Sequence, residues 1–392
     1  MKSIENLGNI ENRSVILRLD LNVPIKNGKI TDSNRIDKVM PTLEFLLKKK
    51  AKIIIISHVG RPKGKIVNEL SLEPVLIYLK DKLKKKISLV KENIFNLDKK
   101  DIFKNTNEKL ALIENIRFYP EEESNDENFS QKLASLGEIY VNDAFSCSHR
   151  NHASVSKITK YIPSYSGFQI NSEVDALNKI TSEITKPVTC IIGGSKISSK
   201  INIIKNLIPK FNNIIIVGGM ANNIINYKGH NIGKSIKEFN CEPAIKEIFK
   251  TSENHSCEII LPEDVLVGKN INDNSKVKEL GDIDNDELIL DIGPKTIQKI
   301  KNVIKISNTV LWNGPAGYFE NPNFANGSYE IAKAIIKKNK KKSIYSVVGG
   351  GDTIALINGI KAIRDFNFVS TAGGAFLEYL EGKDLPGIKA LS

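Results

Sequence analysis

VTCIIGGSKISSKI (188–201) sets an apolar run of strand length against a glycine pair, and the residues beyond the pair open a stretch with helical spacing. An earlier segment, KIIIISHVGRP (52–62), has the same apolar run but ends on histidine and arginine. Outward from these two, short β-rich runs bounded by turn residues alternate with longer helical stretches, which predicts strand–helix–strand units and parallel sheets. The first half offers strands at 14–21, 52–57, 86–90, 110–114 and 138–142. The second offers 187–192, 213–217, 258–261, 288–292, 309–312, 343–348 and 367–370. A chain of 392 residues suits two domains. The expected division is a first domain over 1–170, a connecting helix over 171–184 (NSEVDALNKITSEI) and a second domain over 185–375.

Open α/β sheets bind ligands beyond the carboxyl ends of their strands, so the residues placed there indicate the ligand. In the first half they are Asp20, Asn22, His58, Arg61, Arg117, Asn142 and Asp143, which suit a small, highly charged acid. In the second half they are glycines, among them Gly193-Gly194, Gly218-Gly219, Gly293, Gly314 and Gly349-Gly350-Gly351, which let a bulky nucleotide lie against backbone amides. A helix opening after Gly193-Gly194 would put Lys196 and Lys200 at i and i+4 on one face, aimed at one anion. GGGDT (349–353) repeats the arrangement, with Asp352 placed to meet a metal and Thr353 to meet phosphate or cap the next helix.

Composition narrows the class. The net charge is +12, but lysines are scattered throughout and aromatics are only 7%, so the interleaved basic and aromatic surface of a nucleic-acid binder is missing. Only seven of the 57 basic residues are arginine, and six of those precede residue 151, which marks the first half as the place for forked recognition of an anion. Neither G-x-G-x-x-G at a first helix nor a Walker P-loop occurs, which argues against a dinucleotide dehydrogenase and a P-loop enzyme. The four cysteines lack disulfide or zinc spacing. No apolar run approaches a membrane span and the N-terminus lacks a signal-like core, so a cytosolic protein without a membrane partner is expected.

The ordered set RLDLNVP (18–24), SHVGRP (57–62), ENIRF (114–118), VNDAFSCSHRNHAS (141–154), GGSKISSKI (193–201), VGGM (217–220), LDIGPKT (290–296), WNGPAGYFE (312–320), GGGDT (349–353) and STAGGAFLEYLEGKDLPGI (370–388) resembles the phosphoglycerate kinase family from residue 14 to residue 391. The resemblance implies two Rossmann-like three-layer α/β domains joined by an interdomain helix, with 376–392 packing back on the first. It implies reversible phosphoryl transfer between 1,3-bisphosphoglycerate and MgADP by a monomer. The phosphoglycerate would be held by Asp20, Asn22, Arg35, His58, Arg61, Arg117 and Arg150. The nucleotide would be held by Gly193, Gly194, Lys200, Gly293, Asn313, Pro315, Glu320, Gly349, Gly350, Gly351, Asp352 and Thr353, with its magnesium on Asp352. Arg35, Lys196 and Lys200 would be catalytic. The chain departs from the family pattern at Ala316, Tyr318, Ala372 and Ser146-Cys147-Ser148, the last standing where Gly-Thr-Ala is common.

Overall fold

A computed structural model describes residues 1–103 and 109–392. The chain divides into two compact units, one made of Met1–Asp175 with Asp384–Ser392, the other of Ala176–Lys383. The division falls inside a helix, Phe168–Thr181, which starts and ends three residues earlier than the 171–184 read from the sequence. Asp143 explains the earlier start, because its Oδ1 accepts the amides of Gln169 and Ile170 and so caps the helix from outside.

The first unit is built on β1 (Ser14–Leu19), β2 (Lys52–Ile56), β3 (Ser88–Val90), β4 (Leu110–Ile113), β5 (Ile139–Asp143) and β6 (Ser164–Ser166). They form one parallel sheet in the order β3-β4-β2-β1-β5-β6. Successive side chains on a strand face opposite ways, and both faces here are covered. Val15, Leu17, Leu19, Ile53 and Ile55 therefore join one core, while Ile16, Ile54, Ile56 and Ile113 join the other. Edge strand β6 escapes the sequence reading because SYS carries no apolar run. The helix Asn34–Lys48 buries Ile36, Val39, Met40, Leu43 and Leu46 at three- and four-residue spacing, which carries Arg35 in its first turn.

The second unit holds β7 (Val188–Ile192), β8 (Asn213–Ile216), β9 (Glu258–Ile260), β10 (Asp264–Gly268), β11 (Lys276–Glu279), β12 (Leu288–Ile292), β13 (Thr309–Asn313), β14 (Tyr345–Gly349) and β15 (Phe368–Ser370). Its parallel sheet runs β9-β8-β7-β13-β14-β15. Two expectations need correction. Strand 288–292 does not belong to this sheet: β12 pairs antiparallel with β10, as does β11, in a separate three-stranded sheet. A parallel crossover needs a dozen or more residues, usually with a helix, and here the chain between β10 and β12 forms only β11 and turns. Lys196 and Lys200 also do not share a helical face. Residues beyond the glycine pair form turns, and the helix begins at Ile201, with Lys200 at its N-cap.

The C-terminal residues Asp384–Ser392 belong to the first unit, a shorter return than 376–392. Leu385 and Leu391 are buried there, and the Gly387 amide donates to Ser148 O at 2.8 Å, bracing the loop that leads to Arg150. A chain ending at Lys383 loses two buried leucines, each contributing about 1.5–3 kcal/mol. Its β1 and β2 amides are expected to exchange with deuterium at least about tenfold faster. The one tryptophan, Trp312, is fully buried in the second unit, so its urea-induced fluorescence transition should hold its midpoint. A fluorescence midpoint that falls in step with faster exchange would show that the segment supports the whole molecule instead.

Candidate functional site

Strand β1 lies between β2 and β5, and the carboxyl ends of these strands and of β4 carry the polar residues of the first unit. Asp20 follows β1. Its Oδ1 accepts the Asn22 amide at 3.3 Å, while Oδ2 accepts Ser146 Oγ at 2.5 Å and lies 3.4 Å from Arg35 Nη1. Arg35 also donates to Asn22 O at 3.2 Å, and Asn22 Oδ1 accepts the Gly60 amide at 3.0 Å. Asp20, Asn22, Arg35 and Gly60 thus form one connected rim. Arg117 is buried, donates from Nη1 to Gly60 O at 2.9 Å and lies 3.5 Å from Glu123. Arg61 is exposed beyond Gly60, and Arg150 is half-buried in the loop after β5.

Behind the rim stands a residue that the sequence reading did not assign to the site. Arg18 is 1% exposed and follows Ile16 on the same face of β1. It donates to Leu19 O at 2.5 Å, Ser154 Oγ at 3.1 Å and His58 Nδ1 at 3.0 Å. Ser154 donates in turn to Glu122, from Oγ at 2.7 Å and from its amide at 2.9 Å. Glu122 is fully buried, and burial raises its pKa while Arg18 opposes the rise. An arginine inside an otherwise apolar strand was the available signal, since only an internal partner lets such a cation be buried.

This arrangement fixes the histidines. Burial, then the charges of Arg18 and Arg117, holds the His58 pKa well below its ordinary value, and the same causes push His152 down to about 3. Both are neutral at pH 7, so the 3.7 Å approach of His152 Nδ1 to Glu122 is not an ion pair. A guanidinium can only donate, so His58 Nδ1 is the acceptor and its proton sits on Nε2. The pocket therefore offers cations at Arg35, Arg117 and Arg150, a neutral imidazole N–H and one carboxylate at the rim, a set suited to a small polyanion bearing a hydroxyl.

In the second unit the sheet reverses direction of growth at β7 and β13, the topological switch point where open sheets bind ligands. Gly193 and Gly314 meet there: a Cβ on Gly193 would stand 2.2 Å from Pro315 O, and one on Gly314, at φ +106°, 2.3 Å from Gly193 O. These two glycines serve backbone against backbone. Lys200 Nζ donates to Gly193 O at 2.5 Å, Asn313 Oδ1 at 2.6 Å and Asn313 O at 3.2 Å. Burial pushes its pKa down to about 8, while the nearby Asp352 charge favours the ammonium. Thr353 Oγ1 accepts the Gly314 amide at 2.7 Å, and Gly351–Gly359 forms the helix whose first turn carries exposed Asp352. Lys196 is exposed on its turn. Gly293 follows antiparallel β12, outside the parallel sheet: its amide donates to Asp264 O, and the Asp264 carboxylate fills the space a Cβ would take. Trp312 is packed scaffold, its Nε1 donating to Gly314 O at 2.9 Å.

Beside this switch point lies a cavity of about 300 Å³, lined by Gly194, Pro315 and Glu320 from the expected set and by Asn222, Ile236 and Leu290, which sequence reasoning missed. No local pattern marks the last three, which converge from a helix, a loop and β12.

A family model described as phosphoglycerate kinase matches residues 4–383. A phosphoglycerate kinase of Wolbachia pipientis wMel is 43% identical over 391 residues, covering 99% of this chain and 98% of the relative. One of Orientia tsutsugamushi (strain Ikeda) is 44% identical over 385 residues, covering 97% and 95%. Among solved structures, phosphoglycerate kinase from Coxiella burnetii matches with a TM-score of 0.91 at 37% identity, over 99% of this chain and 98% of that one. That of Pyrococcus horikoshii OT3 matches with a TM-score of 0.82 at 27% identity, over 100% and 98%.

Arg18→Met tests the buried network. It removes the donor to His58 and leaves the Glu122 charge uncompensated, so urea unfolding should show a loss of about 3–5 kcal/mol. Adding Glu122→Gln should cost less than the sum of the two single losses, and strict additivity would show that the two groups do not act together.

Proposed function

The chain belongs to the phosphoglycerate kinase family, kinases that transfer a phosphoryl group between 1,3-bisphosphoglycerate and ADP in glycolysis, and from that premise we propose how its residues divide the reaction. The first unit holds the phosphoglycerate through Asp20, Asn22, Arg35, His58, Arg61, Arg117 and Arg150. The second holds the nucleotide, its base in the cavity beside Pro315 and Glu320 and its phosphates toward Gly193, Gly194, Lys200, Asn313, Gly349, Gly350, Gly351, Asp352 and Thr353. Gly293 stays in the proposed set, since it directly follows β12, whose Leu288–Ile292 line the same cavity. The observation that carries this division is the cluster of Arg18, Arg117 and Arg150 charges around two neutral imidazoles, with Arg35 at the rim, all at the carboxyl edge of one sheet.

An oxygen of the ADP β-phosphate attacks the phosphorus of the acyl phosphate, and the bond from that phosphorus to the acyl oxygen breaks, leaving a carboxylate. The nucleophile is already anionic, so no base is needed. The protein orients both partners and neutralises charge through Arg35, Lys196 and Lys200, while His58 donates from Nε2 to the bound acid. Magnesium fits the second unit: it favours one or two carboxylates together with substrate phosphates and water, and Asp352 is an exposed carboxylate in a helix's first turn. Bound there, it supplies neutralisation of nucleotide phosphate charge. The same reading has the enzyme act in the cytoplasm as a monomer, with neither nucleic acid nor membrane as partner.

Turnover of 3-phosphoglycerate and MgATP by an Arg35→Ala variant tests the assignment. A cation meeting the transferred group contributes on the order of a thousandfold, so turnover should fall by that order while MgADP affinity stays within about twofold. Retention of more than about a tenth of wild-type turnover would remove Arg35 from that role.

Lys200 supplies a test on the nucleotide side. Its pKa near 8 means that the amine loses its proton as pH rises past that value, and a phosphate beside it favours the charged form. MgADP binding at a pH about half a unit above that pKa should therefore take up part of a proton, read by calorimetry in buffers of different ionisation enthalpy. Lys200→Arg, which cannot titrate there, should abolish the uptake. Equal uptake in both proteins would assign the proton to another group.

A further inference from the structure

The cavity of the second unit has a mostly apolar wall, and its buried polar side chains are already engaged except at one atom. Ser235 Oγ donates to Ile232 O and accepts the Ile289 amide at 2.8 Å. The Asp291 oxygens accept the amides of Ile292 at 2.9 Å and Gly327 at 2.7 Å. Asn222, in the helix Gly219–Tyr227, is 1% exposed; its Nδ2 donates to Ile236 O at 3.2 Å, and its Oδ1 has no hydrogen-bond partner. A carbonyl oxygen can only accept, so this bond fixes which end of the amide is which and leaves Oδ1 as a buried, unfilled acceptor. Native proteins rarely leave such an atom unpaired without a ligand or water to satisfy it.

We propose that Asn222 reads the base of the nucleotide, its Oδ1 accepting a hydrogen bond from the 6-amino group of adenine. This rests on the placement of the base in this cavity. Guanine and hypoxanthine carry an oxygen acceptor at the 6-position, so their carbonyl would face Oδ1 with no proton between them. Asn222 thereby makes the enzyme selective for adenine nucleotides, through the one buried side-chain polar atom of a cavity-lining residue that lacks a hydrogen-bond partner among the described residues. Holding Ile236 in place is a second task of the same side chain. The side chain of Ile236 lies 2.6 Å from where a Gly219 Cβ would stand and forms part of the wall. Loss of that support alone would weaken every nucleotide alike.

The test compares MgADP with the magnesium complexes of GDP and of purine riboside 5′-diphosphate, which lacks the 6-amino group, on the full-length protein. The wild type should bind ADP about tenfold or more tightly than purine riboside diphosphate, with GDP weaker still. Asn222→Leu, of similar volume, and Asn222→Ala, which cannot overpack, should each bring ADP and purine riboside diphosphate within about twofold, by weakening ADP. A wild type indifferent to the 6-amino group overturns the proposal, as does a ratio that both variants leave unchanged. Hydrogen exchange of the Leu288–Ile292 amides separates the two layers of the argument. If MgADP does not protect them, the base lies elsewhere and the placement itself fails; protection with an unchanged ratio sinks only the role of Asn222.

Discussion

A strand covered on both faces carries few polar side chains along its length, each needing an internal partner, so a doubly covered parallel sheet has most of its chemistry displaced to the strand ends. Both sheets of this protein obey that constraint. In the first unit, β1 is buried over its whole length, and Asp20 and Asn22 stand immediately beyond it. In the second, β7 and β13 are buried throughout, and Gly193 and Gly314 meet where they end. The crevice at each switch point follows from the order in which the strands pair.

Arg18 is the exception that makes the first site work. A guanidinium inside the sheet is tolerable only because Leu19 O, Ser154 and His58 accept its donors while Glu122 balances its charge. That network ties β1 to the loop after β2 and to the loops that carry Arg117 and Arg150. It also sets the His58 proton on Nε2. The loops that carry Arg117 and Arg150 thus rest on a buried polar scaffold. Ser146 adds a further contact: its hydroxyl donates to Asp20 Oδ2, the atom that also faces Arg35.

The glycines of the second unit divide by cause. Gly193 and Gly314 are small because two backbones press together, and Gly293 because a carboxylate occupies its side-chain space. Gly350, at φ +95°, turns the chain out of β14 into the helix that carries Asp352. A run of glycines in sequence does not distinguish these reasons, since each requires only the absence of a Cβ. The distinction decides which backbone amides remain for an anion.

Local pattern alone determined that the chain makes two parallel α/β units, that arginine and histidine follow the strands of the first and glycine those of the second, and that the motifs match one kinase family. Each of these depends on residues close together in the chain, where apolar period and turn chemistry act. Tertiary structure alone decided the rest. Strand 288–292 went to an antiparallel sheet because the chain between it and β10 forms a strand and turns and no crossover helix, which its own apolar run does not reveal. Lys196 and Lys200 parted because the residues beyond Gly194 turn before the helix begins. Arg18, Glu122 and Ser154 became one network, and Asn222, Ile236 and Leu290 one cavity wall, from positions far apart in sequence. Such contacts arise only when packed elements bring distant side chains within hydrogen-bond or van der Waals distance, and no short window of sequence carries that distance.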